Sequence, residues 1–337
     1  MKNRLLLTGA AGFIGSHILE HVLVNTDWDI VCVCSWKHKG TPERINSVLN
    51  PHPEWRKRVE VITHDLSTPF TEITKKRIGD IDYVINAASD SHVDRSITDP
   101  VPFIQNNVNL ILTMLEWARV AKPKVFVQVS TDEVYGAAPE GHNHKEWEPM
   151  LPSNPYSGSK AAQEAICISY WRTYGVPLIL TNTMNNFGET QDSEKYVSKI
   201  IHSLNHNKPI TIHGSQDGKF GSRFYLHARN HADAILFLIQ NTTPAMYGHV
   251  GVDRPDRYNV VGEKEMDNKE MADLVAKIMD KPLQYVTVDY HSTRPGHDLR
   301  YALDGEKLAR MGWDAPCPLE DSMKKYINWT LEHKEWL

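Results

Sequence analysis

The sequence predicts an α/β fold, a doubly wound parallel sheet with a smaller lobe at its C-terminal end. Three observations predict it. Short β-branched apolar runs recur between helical stretches, glycines sit three apart directly after the first run, and turn signals crowd the chain after about position 185. A chain of 337 residues can bury one large core, or a core and a lobe.

Arg4–Leu7 is the first apolar run, and Phe13–Val24 reads as an amphipathic helix with Ile14, Ile18 and Val22 at helical spacing. Ile30–Cys34 is the second strand and leads into the basic loop Ser35-Trp36-Lys37-His38-Lys39. Val59–Ile62, Tyr83–Asn86, Val125–Val129 and Leu178–Asn182 continue the alternation. This gives a Rossmann-type domain over residues 1–184, with later segments around 224–255 returning to it. Turns at Asn207-Lys208-Pro209, His213-Gly214-Ser215 and Asp217-Gly218 mark a smaller, interleaved substrate-binding lobe over 185–337. Gly141–Pro155 reads as a surface loop.

A net charge of −5 gives no reason to expect nucleic acid or an anionic membrane as partner. Cys32, Cys34, Cys167 and Cys317 lack zinc spacing and, in a chain this long, do not suggest a disulfide framework. No apolar run approaches the ~20 residues of a membrane helix, and the first strand begins too early to leave room for a signal peptide. The expected location is cytoplasmic.

Gly9, Gly12 and Gly15 lie between the first strand and the first helix. Gly9 permits a tight turn, Gly12 lets the backbone approach a pyrophosphate, and Gly15 lets helix pack on strand, with the helix N-terminus facing the anion. Asp65-Leu66, after the third strand, are placed to cap an adenine. The second strand ends on Ser35 with Lys37 and Lys39 behind it, where an acid would bind the ribose hydroxyls of NAD. A serine flanked by cations would accept a 2′-phosphate, so local chemistry favours NADP, but an exposed Lys-His-Lys run is often only a solvated loop, and NAD and NADP both stand.

Tyr156 and Lys160 are four apart at the start of a probable helix, which puts both on one face. The ammonium, with a nicotinamide cation, would lower the phenol pKa and make Tyr156 a base. Ser130-Thr131-Asp132-Glu133 leave the C-terminal edge of the sheet, where open α/β folds bind ligands. Thr131 could bond the same substrate hydroxyl as Tyr156. Hydride transfer needs no paired acids, whereas moving protons at neighbouring carbons does.

With these segments in view, the chain resembles the nucleotide-sugar 4,6-dehydratases of the extended short-chain dehydrogenase/reductase superfamily, most of all the dTDP-glucose branch. The resemblance rests on TGAAGFIGSH at Thr8, SHVDRSI at Ser91, STDEVYG at Ser130, PSNPYSGSKA at Pro152, NNFG at Asn185 and RPGHDLRYALD at Arg294. It implies that Tyr156, helped by Lys160 and Thr131, takes the C4 hydroxyl proton, that Glu133 removes the C5 proton, and that Asp132 protonates the departing C6 hydroxyl. The product would be a 4-keto-6-deoxy sugar, and the NAD or NADP would stay bound and be recycled. It further places Phe13, Ile14 and Ala88 at the cofactor, and Ser91, His92, Asn185, Asn186, Arg223, Asn259, Arg294 and His297 at a nucleotide-diphosphate hexose. It also implies a homodimer through helices near Asn107–Val120 and Ser157–Tyr174. No metal is expected, and His92, His227 and His297 read as structural or peripheral.

The chain departs from the family pattern at Ser35, at Gly221–Tyr225 and at Glu189-Thr190. Glu189 would bring negative charge close to the diphosphate. Two alternatives stand beside dehydration. A 4-epimerase or C4 oxidoreductase would need Tyr156 and Lys160 but not the acid pair, and a silent scaffold would need none of the four.

Overall fold

Successive leucines of the first strand, β1 (Arg4–Thr8), point into different cores. Leu5 and Leu7 join one apolar cluster and Leu6 the other, so both faces of the strand are covered. That is the requirement of a parallel sheet with helices on both sides. The computed structural model describes residues 2–215, 218–289 and 296–337.

The strands that follow are β2 (Asp29–Cys34), β3 (Val59–Thr63), β4 (Tyr83–Asn86), β5 (Val125–Thr131) and β6 (Leu178–Thr183). After residue 185 come β7 (Asn186–Phe187), β8 (Ile210–Gly214), β9 (Ser222–Phe224) and β10 (Leu226–His227), then β11 (Asp256–Val260), β12 (Glu265–Asp267) and β13 (Tyr285–Asp289). The main sheet is parallel throughout, in the order β3-β2-β1-β4-β5-β6-β11. The direction of strand addition reverses between β1 and β4, which opens a crevice at their C-terminal ends.

The helices are α1 (Phe13–Asn25), α2 (Pro42–Leu49), α3 (Glu72–Ile78), α4 (Val93–Thr98), α5 (Pro100–Ala121) and α6 (Pro155–Tyr174). Beyond them lie α7 (Tyr196–Asn205), α8 (Ala228–Asn241), α9 (Asn268–Ile278), α10 (Glu306–Arg310) and α11 (Leu319–Glu332). One face of the sheet packs on Ile18, Leu19 and Val22 of α1 and Ile235 and Leu238 of α8. The other packs on Ile111 and Met114 of α5 and Cys167 and Trp171 of α6. Each such side chain contributes about 1.5–3 kcal/mol on burial. The lobe has its own core, where Ile200, Ile201, Met271, Val275, Met323 and Ile327 meet.

Elements from beyond residue 185 belong to the sheet domain: α8 packs on α1, β11 pairs with β6 at the edge, and Leu308 of α10 joins the same core. The segment 141–154 runs as an irregular connection, yet it buries His144 and Asn154. No described helix is long and apolar enough to cross a membrane.

Candidate active site

A cleft of about 880 Å³ lies over the C-terminal ends of β1, β2, β4, β5 and β6 and is closed on its far side by α7 and β8. Its floor is the glycine turn. Gly9 has φ +75°, and a Cβ on Gly15 would lie 1.9 Å from the Gly9 carbonyl oxygen. The turn therefore exists only because both residues are glycine. No side chain caps α1 at Gly12, and its first turn carries no acid. Its leading amides thus lack side-chain acceptors, which fits a cofactor pyrophosphate. Phe13, Ile14, Ala88 and Leu66 also line the cleft, and the Ala88 amide donates to Thr8 Oγ1 at 3.2 Å.

Ser35, Lys37 and Lys39 line the same end, but both lysines are engaged. Lys37 pairs with Asp65. Burial alone would raise that carboxyl, but the Lys37 ammonium and the Ser67 amide outweigh it and bring it down to about 2. Lys39 lies 3.8 Å from Asp192 and 3.4 Å from Glu194. The cations that favoured a 2′-phosphate in sequence are thus answered by carboxylates.

Thr131 ends β5, and Asp132 and Glu133 open the 3-10 turn that follows. Thr131 Oγ1 donates to Asp132 Oδ1 at 2.9 Å, while the buried Asp132 Oδ2 has no partner. Burial, and then the charge of Glu133, pushes the Asp132 carboxyl up to about 7. Burial also raises Glu133, and the Asn154 amide, donating to its Oε2 at 3.2 Å, works against that rise. Asn154 is itself the N-cap of α6, bonded to the Ser157 amide at 2.9 Å in a capping box. The same residue therefore sets where α6 begins and holds the acid opposite it.

Tyr156 lies in the first turn of α6, buried and edge-on to Phe103. Its phenol is raised, by burial first and then by Glu133, with a Thr131 hydrogen bond opposing. The expected lowering by Lys160 is not found. The ammonium donates instead to the Val129 carbonyl and to Gln163 Oε1, each at 2.7 Å, and burial lowers it to about 8. Gln163 belongs to a buried polar chain that sequence reasoning missed. Thr8 Oγ1 donates to Asn86 (2.6 Å), Asn86 to Gln128 (2.7 Å), and Gln128 to Gln163 (3.2 Å).

Ser91, His92, Asn185, Asn186, Arg223 and His297 line the cleft. His92 faces Glu194 at 3.2 Å and His297 faces Asp94 at 3.0 Å. Arg223 donates to the Ser222, Asp298 and Leu299 carbonyls and lies 4.4 Å over the Tyr301 ring. Asn259 is not among the lining residues. It is fully buried, and its amide bonds the His144 and Asp304 carbonyls, so it ties β11 to its neighbours. Arg294 lies outside the described residues. Glu189 also faces away from the cleft. It is buried against His227 at 3.1 Å, and its carboxyl, which burial would raise, is held well below the usual range by that imidazole. It adds no charge beside a diphosphate. The cleft instead gains Lys195, Lys199 and His202, whose helical spacing along α7 was the available signal.

The sheet order, the unencumbered helix N-terminus and the Tyr-Lys pair define a nicotinamide-dependent enzyme of the short-chain dehydrogenase type. A profile of the GDP-mannose 4,6 dehydratase family matches residues 6–326. The chain is 31% identical over 348 residues to a probable dTDP-glucose 4,6-dehydratase of Sinorhizobium fredii, covering 99% of this chain and 94% of the relative. It is likewise 31% identical over 358 residues to the dTDP-glucose 4,6-dehydratase of Salmonella typhimurium, with the same coverage. Among solved structures, a dTDP-glucose 4,6-dehydratase of Streptomyces venezuelae with NAD bound superposes with a TM-score of 0.85 at 26% identity, covering 99% of this chain and 98% of that one. The chain belongs to the nucleotide-sugar 4,6-dehydratases of the extended short-chain dehydrogenase/reductase family, and it is a hydro-lyase.

Proposed function

We propose that the chain converts dTDP-glucose to its 4-keto-6-deoxy derivative, with NAD held in the cleft. The observation that carries this reading is the split between Asp132 and Glu133. A buried carboxyl pushed up to about 7 stands next to an acid that an amide donor holds in place. One proton between the two serves an elimination, which needs an acid and a base at once. The choice of dTDP-glucose is supported by the names of the relatives, and the choice of NAD by the paired state of Lys37 and Lys39.

When bound, the nicotinamide supplies the oxidation at C4 and the matching reduction at C6. Tyr156 takes the C4 hydroxyl proton, with Thr131 beside it to orient that oxygen. Lys160, fixed by Val129 and Gln163 at the lining of the cleft, supplies the positive charge that stabilises the phenolate. The C4 ketone acidifies the C5 proton, which Glu133 removes. Asp132 delivers its proton to the C6 hydroxyl, and water leaves. Arg223 and Asn186 hold the diphosphate side of the substrate, with Lys195 at the wall of the cleft. A homodimer would pair the outer faces of α5, where Val101 and Val120 are exposed, and of α6, where Tyr174 is exposed.

Two variants test the assignment. Glu133→Gln should lower dehydration by about 10²–10⁴-fold while reduced cofactor still accumulates at ~340 nm, because C4 oxidation precedes C5 deprotonation. Asp132→Asn should slow water loss to a similar degree and abolish the decline in rate as pH rises through about 7, where the wild-type acid loses its proton. Wild-type dehydration in either variant would overturn the assignment of that residue, and a wild-type product that keeps its C6 hydroxyl would return the chain to the epimerase reading.

A further inference from the structure

The connection between the Asp132-Glu133 turn and α6 gathers a set of side chains that the reaction does not use. We infer that His142, His144 and Glu148 form a binding site for one divalent transition-metal ion, of which Zn²⁺ best suits the donors. The site is separate from the cleft, since none of the three lines it.

The three donor atoms lie within 4.8 Å of one another. His142 Nε2 is 2.9 Å and His144 Nδ1 is 2.8 Å from the same oxygen, Glu148 Oε2. Two imidazole nitrogens and a carboxylate oxygen, with water completing the shell, are a donor set that zinc accepts. Bonds of about 2.0–2.1 Å to a tetrahedral ion set ligand atoms roughly 3.3 Å apart. Small side-chain rotations would therefore open enough space for the ion.

The outer partners point the same way. His144 Nε2 faces the Ala137 carbonyl at 3.4 Å while Nδ1 faces Glu148. A neutral imidazole carries one N–H for these two acceptors. A cation bound at Nδ1 would take that lone pair and leave the Nε2 proton for Ala137, an arrangement common among metal-bound histidines. The other Glu148 oxygen, Oε1, accepts the Lys145 amide at 2.9 Å. The His144 ring stacks on Tyr135 with centroids 5.4 Å apart. Backbone bonds of 2.9 Å tie His144 to Ala302 and Asp304, and Arg300 binds the His142 carbonyl and the Asn143 side chain at 2.5 and 2.8 Å. The ligands are thus oriented before any ion arrives, which reduces the ordering that binding demands. From the sequence no metal was expected, because the cysteines lack zinc spacing and His92, His227 and His297 form no tight cluster with ligand spacing. Here the ligands sit on an irregular segment, and the backbone brings them together.

The ion would act as a staple on the connection between the two catalytic elements and would take no part in the chemistry. The test uses the tag-free, full-length protein, stripped with a chelator and then titrated with Zn²⁺ alone. Bound metal is measured by elemental analysis after gel filtration. The wild type should retain one Zn²⁺ per chain and melt at a higher temperature with it. His142→Ala, which alters an exposed ring and so should fold, and Glu148→Gln should each bind at least tenfold more weakly and lose the zinc-dependent rise, with dehydratase activity kept. Co²⁺ in place of Zn²⁺ should give the visible absorption of a four-coordinate site in the wild type alone. If wild type and His142→Ala bind zinc equally, or neither binds it, the trio is only a hydrogen-bonded cluster and the inference fails.

Discussion

Replacing Gln163 with leucine should move the pH dependence of C4 oxidation although Gln163 does not line the cleft. Lys160 has two acceptors within 2.7 Å, and Gln163 supplies one of them. A hydrogen bond to a charged group is worth about 1.5–3 kcal/mol, and 1.36 kcal/mol corresponds to one pH unit in a titration midpoint. Loss of this acceptor should therefore lower the midpoint of the ammonium, about 8 in the wild type, by roughly 1–2 pH units. The reaction needs the charged form, so its decline at high pH should begin earlier. At pH 8 the oxidation should be about five- to fifty-fold slower, the ratio of protonated fractions. The assay is stopped-flow absorbance at ~340 nm in a Glu133→Gln background, where elimination is blocked and Asp132 has no role in the measured step. Gln163→Glu is the control. It keeps the shape, adds a negative charge and should shift the decline upward. A packing defect would slow both variants without moving their pH profiles in opposite directions. Parallel shifts, or none, would refute the positioning role.

The other two predictions concern cofactor and assembly. Denaturing the purified protein and analysing the released small molecules by mass spectrometry should yield NAD rather than NADP. A predominance of NADP would mean that Lys37 leaves Asp65 to meet a 2′-phosphate. Sedimentation at micromolar concentration should show a dimer that Val101→Lys or Val120→Asp weakens, and a wild-type monomer would remove the α5–α6 pairing.

What the sequence made legible is local. The glycine turn, the Tyr156–Lys160 spacing and the Asp132-Glu133 pair each sit within one strand-turn-helix unit, where spacing along the chain is spacing in space. What it hid depends on distant partners. Glu189 was read as a charge beside the diphosphate, and its burial against His227 could not be foreseen from its neighbours. Lys37 and Lys39 were read as free cations, but Asp65 and Glu194 answer them from other elements. Asn259 was placed near the nucleotide, yet it joins β11 to the His144 and Asp304 segments. The Tyr156 phenol illustrates a different limit. The residues around it were identified, but the balance between burial and one ammonium is set by packing, and burial prevails.

The pair Glu164–Arg257 explains why such a site holds its geometry. Both side chains are buried and joined to each other, where isolated charges would cost several kcal/mol each. A pair of apolar residues would fill that space at no greater cost, so stability alone does not account for it. Its partners supply a reason. Glu164 accepts from Ser130, at the end of β5, and from Asn182 of β6 at 2.8 Å, while lying on the same helix as Tyr156 and Lys160. Arg257 comes from β11, reaches the Tyr135 hydroxyl at 3.3 Å and stacks 4.2 Å from Trp147. One carboxylate thus sets α6 against the strand end that presents Thr131 and Asp132, and its counter-charge ties both to the edge strand contributed by the second half of the chain. Displacing α6 by one residue would break several charge-assisted bonds at once, whereas an apolar contact would tolerate the slip. The acid and the base share the turn after β5 while the phenol lies on α6, and this buried polar knot is what keeps the two elements at a constant separation.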